Sequence, residues 1–188
     1  MIDRRAFLSS LTVGTLFLPR AAAATEADVP PVSLAEGGSL MIPGSAEVPR
    51  YAEGGRWTET TGRSSARHVT RHFMFMPASG APAMELYVTR DLSDEPPDGV
   101  FEIALVSGFL RGFGSGTGFS YEEPAFEDVV IGGARLKRSR VELAKDDRRV
   151  WLYAYVLPRR PSLTFLTVRP RPDAAAAIES YLAKVRLR

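Results

Sequence analysis

Residues 148–157, Arg-Arg-Val-Trp-Leu-Tyr-Ala-Tyr-Val-Leu, are apolar on both sides when read as a strand. Successive strand side chains point to opposite faces. Val150, Leu152, Ala154 and Val156 therefore face one way, and Trp151, Tyr153 and Tyr155 the other. Such a strand has no face to give to water, so it belongs in the middle of a sheet covered on both sides.

The neighbouring segments supply that sheet. Phe126 to Ile131, Arg135 to Leu143 and Ser162 to Val168 read as strands, and Asp146-Asp147 suits a hairpin turn. Upstream, His68, Thr70, His72, Met74 and Met76 alternate with Val69, Phe73 and Phe75. Pro77 to Pro82 makes a turn, and Met84 to Thr89 completes a second hairpin. Asp98 is placed to cap a helix from Val100 to Arg111, followed by a flexible glycine loop from Gly112 to Gly118. The last element is a helix capped by Asp173, with Ile178, Leu182 and Val185 as its apolar stripe and Tyr181 widening it. Lys184, Arg186 and Arg188 suit the negative end of its dipole.

The expected fold is α+β: an antiparallel sheet of about five to six strands packed with two helices, in the order β-β-α-β-β-β-β-α. Residues 67–188 form this single domain. Residues 25–66, rich in Gly, Pro, Ser and Glu, read as a loose N-terminal arm with a short strand near Trp57. The order of elements, closing on Ser162-Leu163-Thr164-Phe165-Leu166 before the Asp173 helix, resembles the PsbP-like fold. That resemblance implies a small partner-binding or assembly protein and assigns no functional residue.

The first 24 residues read as an export leader, with a basic start, an apolar run from Leu8 to Leu18 and small residues at a cleavage site. Arg4, Arg5, Phe7 and Leu8 match the twin-arginine signal family, which they resemble in order and spacing, while Asp3 and Ser9 depart from its pattern. The resemblance implies export of a folded protein to the periplasm. Ala22 and Ala24 mark the cleavage site, with the cut after Ala24. The apolar run is shorter than the roughly 20 residues a bilayer requires, so no stable membrane span is expected after cleavage.

Cleavage changes the charge balance. The whole chain carries a formal net charge of +2, and the leader holds Arg4, Arg5 and Arg20 against Asp3. The mature chain is therefore neutral overall, which removes the basic excess that nucleic-acid binding needs. The chain has no cysteine. Disulfides, thiol nucleophiles and cysteine-ligated clusters are thereby excluded.

His72-Phe73-Met74-Phe75-Met76 is the sharpest chemical pattern. Its His72, Met74 and Met76 project from one strand face, and thioether with imidazole is a ligand set that selects Cu(I). Methionine also fills irregular cores, so the same residues fit a half-buried sheet face. His68 and His72 have helical zinc spacing, but on a strand they lie about 13 Å apart. Gly112, Gly114, Gly116 and Gly118 lack the spacing of a dinucleotide loop. Asp94 to Leu105 lacks the ligands of a calcium loop at its third and twelfth positions. Gly62-Arg63-Ser64-Ser65-Ala66 lacks the strand, helix and later triad partners of a hydrolase elbow.

These readings point first to an exported, non-enzymatic module that binds a protein partner or a small apolar ligand. Such a module is expected to carry an exposed apolar patch or a cavity. The alternative is a periplasmic Cu(I)-binding protein using His72, Met74 and Met76, copper being the one cofactor in view. A third reading is an enzyme of unrecognised type, which predicts polar side chains converging at one place.

Overall fold

The computed structural model describes residues 31–35, 37–52, 54–65, 67–78, 82–92 and 99–188. The twin-arginine residues Arg4, Arg5, Phe7 and Leu8, the cleavage residues Ala22 and Ala24, and the capping residue Asp98 lie outside them. The described residues open with four strands, β1 (Ser33–Leu34), β2 (Leu40–Ile42), β3 (Ala46–Val48) and β4 (Arg56–Ser64). Next come β5 (His68–Met76), β6 (Met84–Asp91), helix α1 (Val100–Thr117), β7 (Ser120–Tyr121) and β8 (Glu127–Ile131). The order ends with β9 (Ala134–Lys145), β10 (Arg148–Leu157), β11 (Ser162–Arg169), helix α2 (Ala175–Leu182) and β12 (Arg186–Leu187).

These strands make two sheets. The larger has eight strands in the order β4-β5-β6-β11-β10-β9-β7, with β8 also paired to β9. The smaller has four, in the order β1-β2-β3-β12. Every pairing is antiparallel.

Both faces of β10 are covered, as its sequence requires. Tyr153 and Tyr155 pack in a core with Phe73, Phe75 and Phe165 of the large sheet, Leu40 and Ile42 of the small sheet, and Ile178 and Leu182 of α2. Leu152, Ala154 and Val156 face the opposite core, against Val106, Leu110 and Phe113 of α1. The molecule thus has three layers, with the small sheet and α2 on one side of the large sheet and α1 on the other. Burying each large apolar side chain contributes roughly 1.5–3 kcal/mol, which is why β10 holds the centre.

The expected α+β domain of five to six strands is not what forms. The structure is mostly β, 49% strand against 18% helix, with two sheets of four and eight strands. The largest difference lies in the segment read as a loose arm. Its Gly and Pro residues mark turns between short strands: β1, β2 and β3 build most of the small sheet, and β4 is an edge strand of the large one. Trp57, near which a short strand was expected, is buried in the nine-residue β4.

The helices differ at their ends. α1 continues through the glycine-rich stretch read as a loop and stops at Gly118, whose N–H donates to Gly114 O at 2.7 Å and whose left-handed φ of 77° turns the chain out of the helix. A Cβ at Gly114 would lie 2.9 Å from Phe119 O, so the chain returning toward β7 needs glycine there. α2 begins at Ala175 and has no side-chain cap, so Asp173 does not start it. Beyond α2, Arg186 and Leu187 pair with Glu47 and Ala46 of β3 rather than extending the helix.

α2 is tied to the sheet by charge and by phenols. Arg138 Nη1 donates to Glu179 Oε1 at 2.6 Å, and the Tyr155 hydroxyl donates to the same oxygen at 3.1 Å. The hydrogen bonds to Glu179 and then Glu127 hold Arg138 still more firmly protonated than usual. Tyr181 donates to Pro49 O at 2.9 Å, joining α2 to the loop after β3. Burial pushes both Tyr155 and Tyr181 well above the ordinary phenol range, and the Glu179 charge adds to the effect at Tyr155.

Two outcomes follow from this packing. An unfolded phenol loses its proton near pH 10, while the folded Tyr155 and Tyr181 keep theirs. Their contribution is therefore complete below about pH 10 and is lost as pH rises beyond it. Melting curves against pH are expected to stay level to about pH 10 and then fall, less steeply in Tyr181→Phe. At the β8–β9 turn, Gly132 has φ 59° and a Cβ there would sit 3.1 Å from Ala183 Cα. Gly132→Val is expected to cost about 2–4 kcal/mol in urea unfolding, through left-handed strain plus overpacking. Gly133, with open space around its Cβ position, is expected to accept Ala for about 1 kcal/mol.

Candidate functional site

Two surfaces stand out, one polar and one apolar. The polar one lies on the α1 side of the large sheet. α1 packs over β10 and β11, and the face of β4, β5 and β6 beside it stays half-open. Register sets its floor: His72 of β5 sits between Thr60 of β4 and Tyr87 of β6, and the next row joins Met74 to Glu85.

A continuous hydrogen-bonded chain crosses that floor. Thr60 Oγ1 lies 2.7 Å from His72 Nδ1, and His72 Nε2 lies 2.9 Å from Glu85 Oε2. The Tyr87 hydroxyl donates to the same Glu85 oxygen at 2.8 Å. The rings of His72 and Tyr87 stack, 4.2 Å between centroids and 3° from parallel. The imidazole is thereby fixed in plane and along its axis. Its side chain is 19% exposed and that of Glu85 12%, so the chain is sheltered but still reachable.

The hydrogen-bond geometry accommodates two proton arrangements. With neutral His72, Nε2–H donates to Glu85, and Nδ1 accepts from the Thr60 hydroxyl. With imidazolium, Nδ1–H donates to Thr60 Oγ1, whose own proton then goes to His72 O at 3.2 Å. A hydroxyl, an imidazole and a carboxylate in this order can pass a proton from the first to the second while the third holds the ring. The arrangement is a cross-strand one: no motif in the linear sequence joins the three.

A bulge adjoins Thr60. The β4–β5 register shifts between Thr60 and Arg63, and a Cβ at Gly62 would meet Thr70 O at 2.6 Å. Bulges of this kind re-aim neighbouring side chains. The seam continues beneath α1, where Glu102, 6% exposed, accepts from Ser162 Oγ, and Thr70 and Thr89 hydroxyls meet at 3.1 Å.

The residues singled out from the sequence fall as follows. His72, Met74 and Met76 share one face of β5, and all three are half-buried. Both His72 nitrogens are already engaged, so a Cu(I) ion there would displace Thr60 or Glu85. His68 does not join His72: it stacks on Phe101 at 3.7 Å and lies 3.8 Å from Asp91. Among the described residues no three His, Cys, Asp or Glu side chains group as a metal set. Ser65 ties the β4–β5 turn, accepting from His68 N at 3.0 Å. Tyr153 and Tyr155 lie in the core, and Trp151 packs against it. Thr60, Glu85 and Tyr87 were not singled out, although Met84 to Thr89 was read as the partner strand. Fixing its register would have set Tyr87 opposite His72.

The apolar surface lies on the opposite side, where the β8–β9 turn approaches α2 and β12. Ile131, Ala134, Leu136, Leu157, Phe165, Leu182, Val185 and Leu187 line an open notch of about 20 Å³, room for one small group. Leu187 is 40% exposed at its mouth. Arg135 and Arg186 alternate with lining residues along β9 and β12 and so point away from the notch; Arg186 and Arg188 lie 3.7 and 3.9 Å from Glu47 of β3. No helix among the described residues is long and apolar enough to cross a membrane. No protein-family model matches the chain, and no curated protein matches it.

The polar chain makes its own test. Glu85→Ala removes the acceptor of His72 Nε2 and one acceptor of the Tyr87 hydroxyl and is expected to cost about 1–3 kcal/mol in urea unfolding. Nitrogen NMR of the neutral ring is expected to find the proton on Nε2 in the parent protein. In Glu85→Ala the preference is expected to disappear.

Proposed function

We propose that the protein is an exported periplasmic binding and assembly module, sent out folded by the twin-arginine route. The observation that carries this reading is the apolar notch between the β8–β9 turn and β12, open to solvent, with Leu187 40% exposed. A partner that fits it carries one small apolar side chain that fills the notch. Binding energy in such contacts concentrates on one desolvated anchor.

The leader supports the compartment: Arg4, Arg5, Phe7 and Leu8 carry the resemblance to twin-arginine signals, and Ala22 and Ala24 the cleavage site. A chain without cysteine has no disulfide to wait for, which suits folding before export.

Site-specific photocrosslinking in the exporting cell tests the reading. A benzophenone side chain in place of Leu187 is expected to trap one discrete partner. The same side chain in place of Leu34, at the far edge of the small sheet, is expected to trap none. Equal adducts at both positions, or none at Leu187, reject the notch as the contact.

A further inference from the structure

We propose that Thr60, His72 and Glu85 form an acyl-transfer site that accepts small activated esters, separate from the apolar notch and on the opposite side of the large sheet. The inference rests on the cross-strand chain itself, not on the partner reading.

Three observations carry it. The order of groups is hydroxyl, imidazole, carboxylate, at 2.7 Å and 2.9 Å, within the range in which a nucleophile and its base are recognised. The base is oriented by two further constraints, the Tyr87 hydroxyl on Glu85 and the stacked Tyr87 ring. Thr60 is half-exposed on an edge strand next to the Gly62 bulge, so its hydroxyl is reachable while its partner ring is sheltered.

The chemistry balances without a cofactor. Thr60 Oγ1 adds to the ester carbonyl carbon, and its proton passes to His72 Nδ1. The carbon–oxygen bond to the alcohol breaks, and the departing oxygen takes the proton back from Nδ1. Water then adds to the acyl-Thr60 carbonyl, giving a proton to Nδ1, and Thr60 leaves with that proton. The net change is ester plus water to acid plus alcohol. Glu85 and Tyr87 are positioning residues: they hold Nε2–H and steady the imidazolium between the two steps.

The probe is p-nitrophenyl acetate with the purified mature chain. The expected result is release of nitrophenolate with one acetyl group on Thr60, located by peptide mass spectrometry. His72→Gln is expected to slow release about 100-fold, the scale of general-base help. Thr60→Val is expected to abolish the adduct, and Thr60→Ser to keep it. Acetyl found only on lysines or the N-terminus, or an unchanged rate in folded Thr60→Val, overturns the proposal. Should Thr60→Val fail to melt cooperatively, the adduct's position in the parent and in Thr60→Ser decides alone: at residue 60 it supports the site, elsewhere it refutes it. Leu187→Asp, at the notch, is expected to leave the reaction unchanged, so loss of partner binding and loss of acyl transfer are separable.

Discussion

The burial of β10 on both faces is the constraint from which the rest of the structure follows. A strand carrying Tyr153 and Tyr155 on one side and Leu152, Ala154 and Val156 on the other needs two covers. α1 serves one side. The other is wider than α2 can span, and the small sheet fills the remainder. The covers are unequal in reach, and both surfaces of interest arise from that inequality. α1 lies over β10 and β11, so the floor of β4 to β6 stays half-open. On the opposite side, the β8–β9 turn meets the end of α2, and the notch opens between them and β12.

What was legible in the sequence was what repeats with period two over a long run. The two faces of β10, the alternation of β5 and the Asp146-Asp147 hairpin each rest on such a run. What was not legible falls into two kinds. β1, β2 and β3 are two or three residues long, too short for alternation to register, and their glycines and prolines read as a loose arm. The end of α1 failed for the opposite reason. Four glycines between 112 and 118 speak against a helix by propensity, but packing of Leu110 and Phe113 carries it onward.

The candidate site divides in the same way. That His72, Met74 and Met76 share a face follows from alternation alone. That Thr60 and Tyr87 flank His72, and that Glu85 reaches its Nε2, depends on the register of three strands. A slip of one residue turns every side chain to the other face. Chemistry built across strands is therefore hidden from linear spacing in a way that helical motifs are not.

The pairing of β12 with β3, reinforced by Arg188 N donating to Ser45 O at 2.8 Å, joins residues about 140 positions apart. Such a closure is entropically slow, since a very long loop must be gathered before the contact rewards it. It also sets a timetable for synthesis. β12 is made about 140 residues after β3, so the small sheet is completed long after its first three strands. Until β12 emerges, β1, β2 and β3 hold one another while the outer edge of β3 waits for its partner strand.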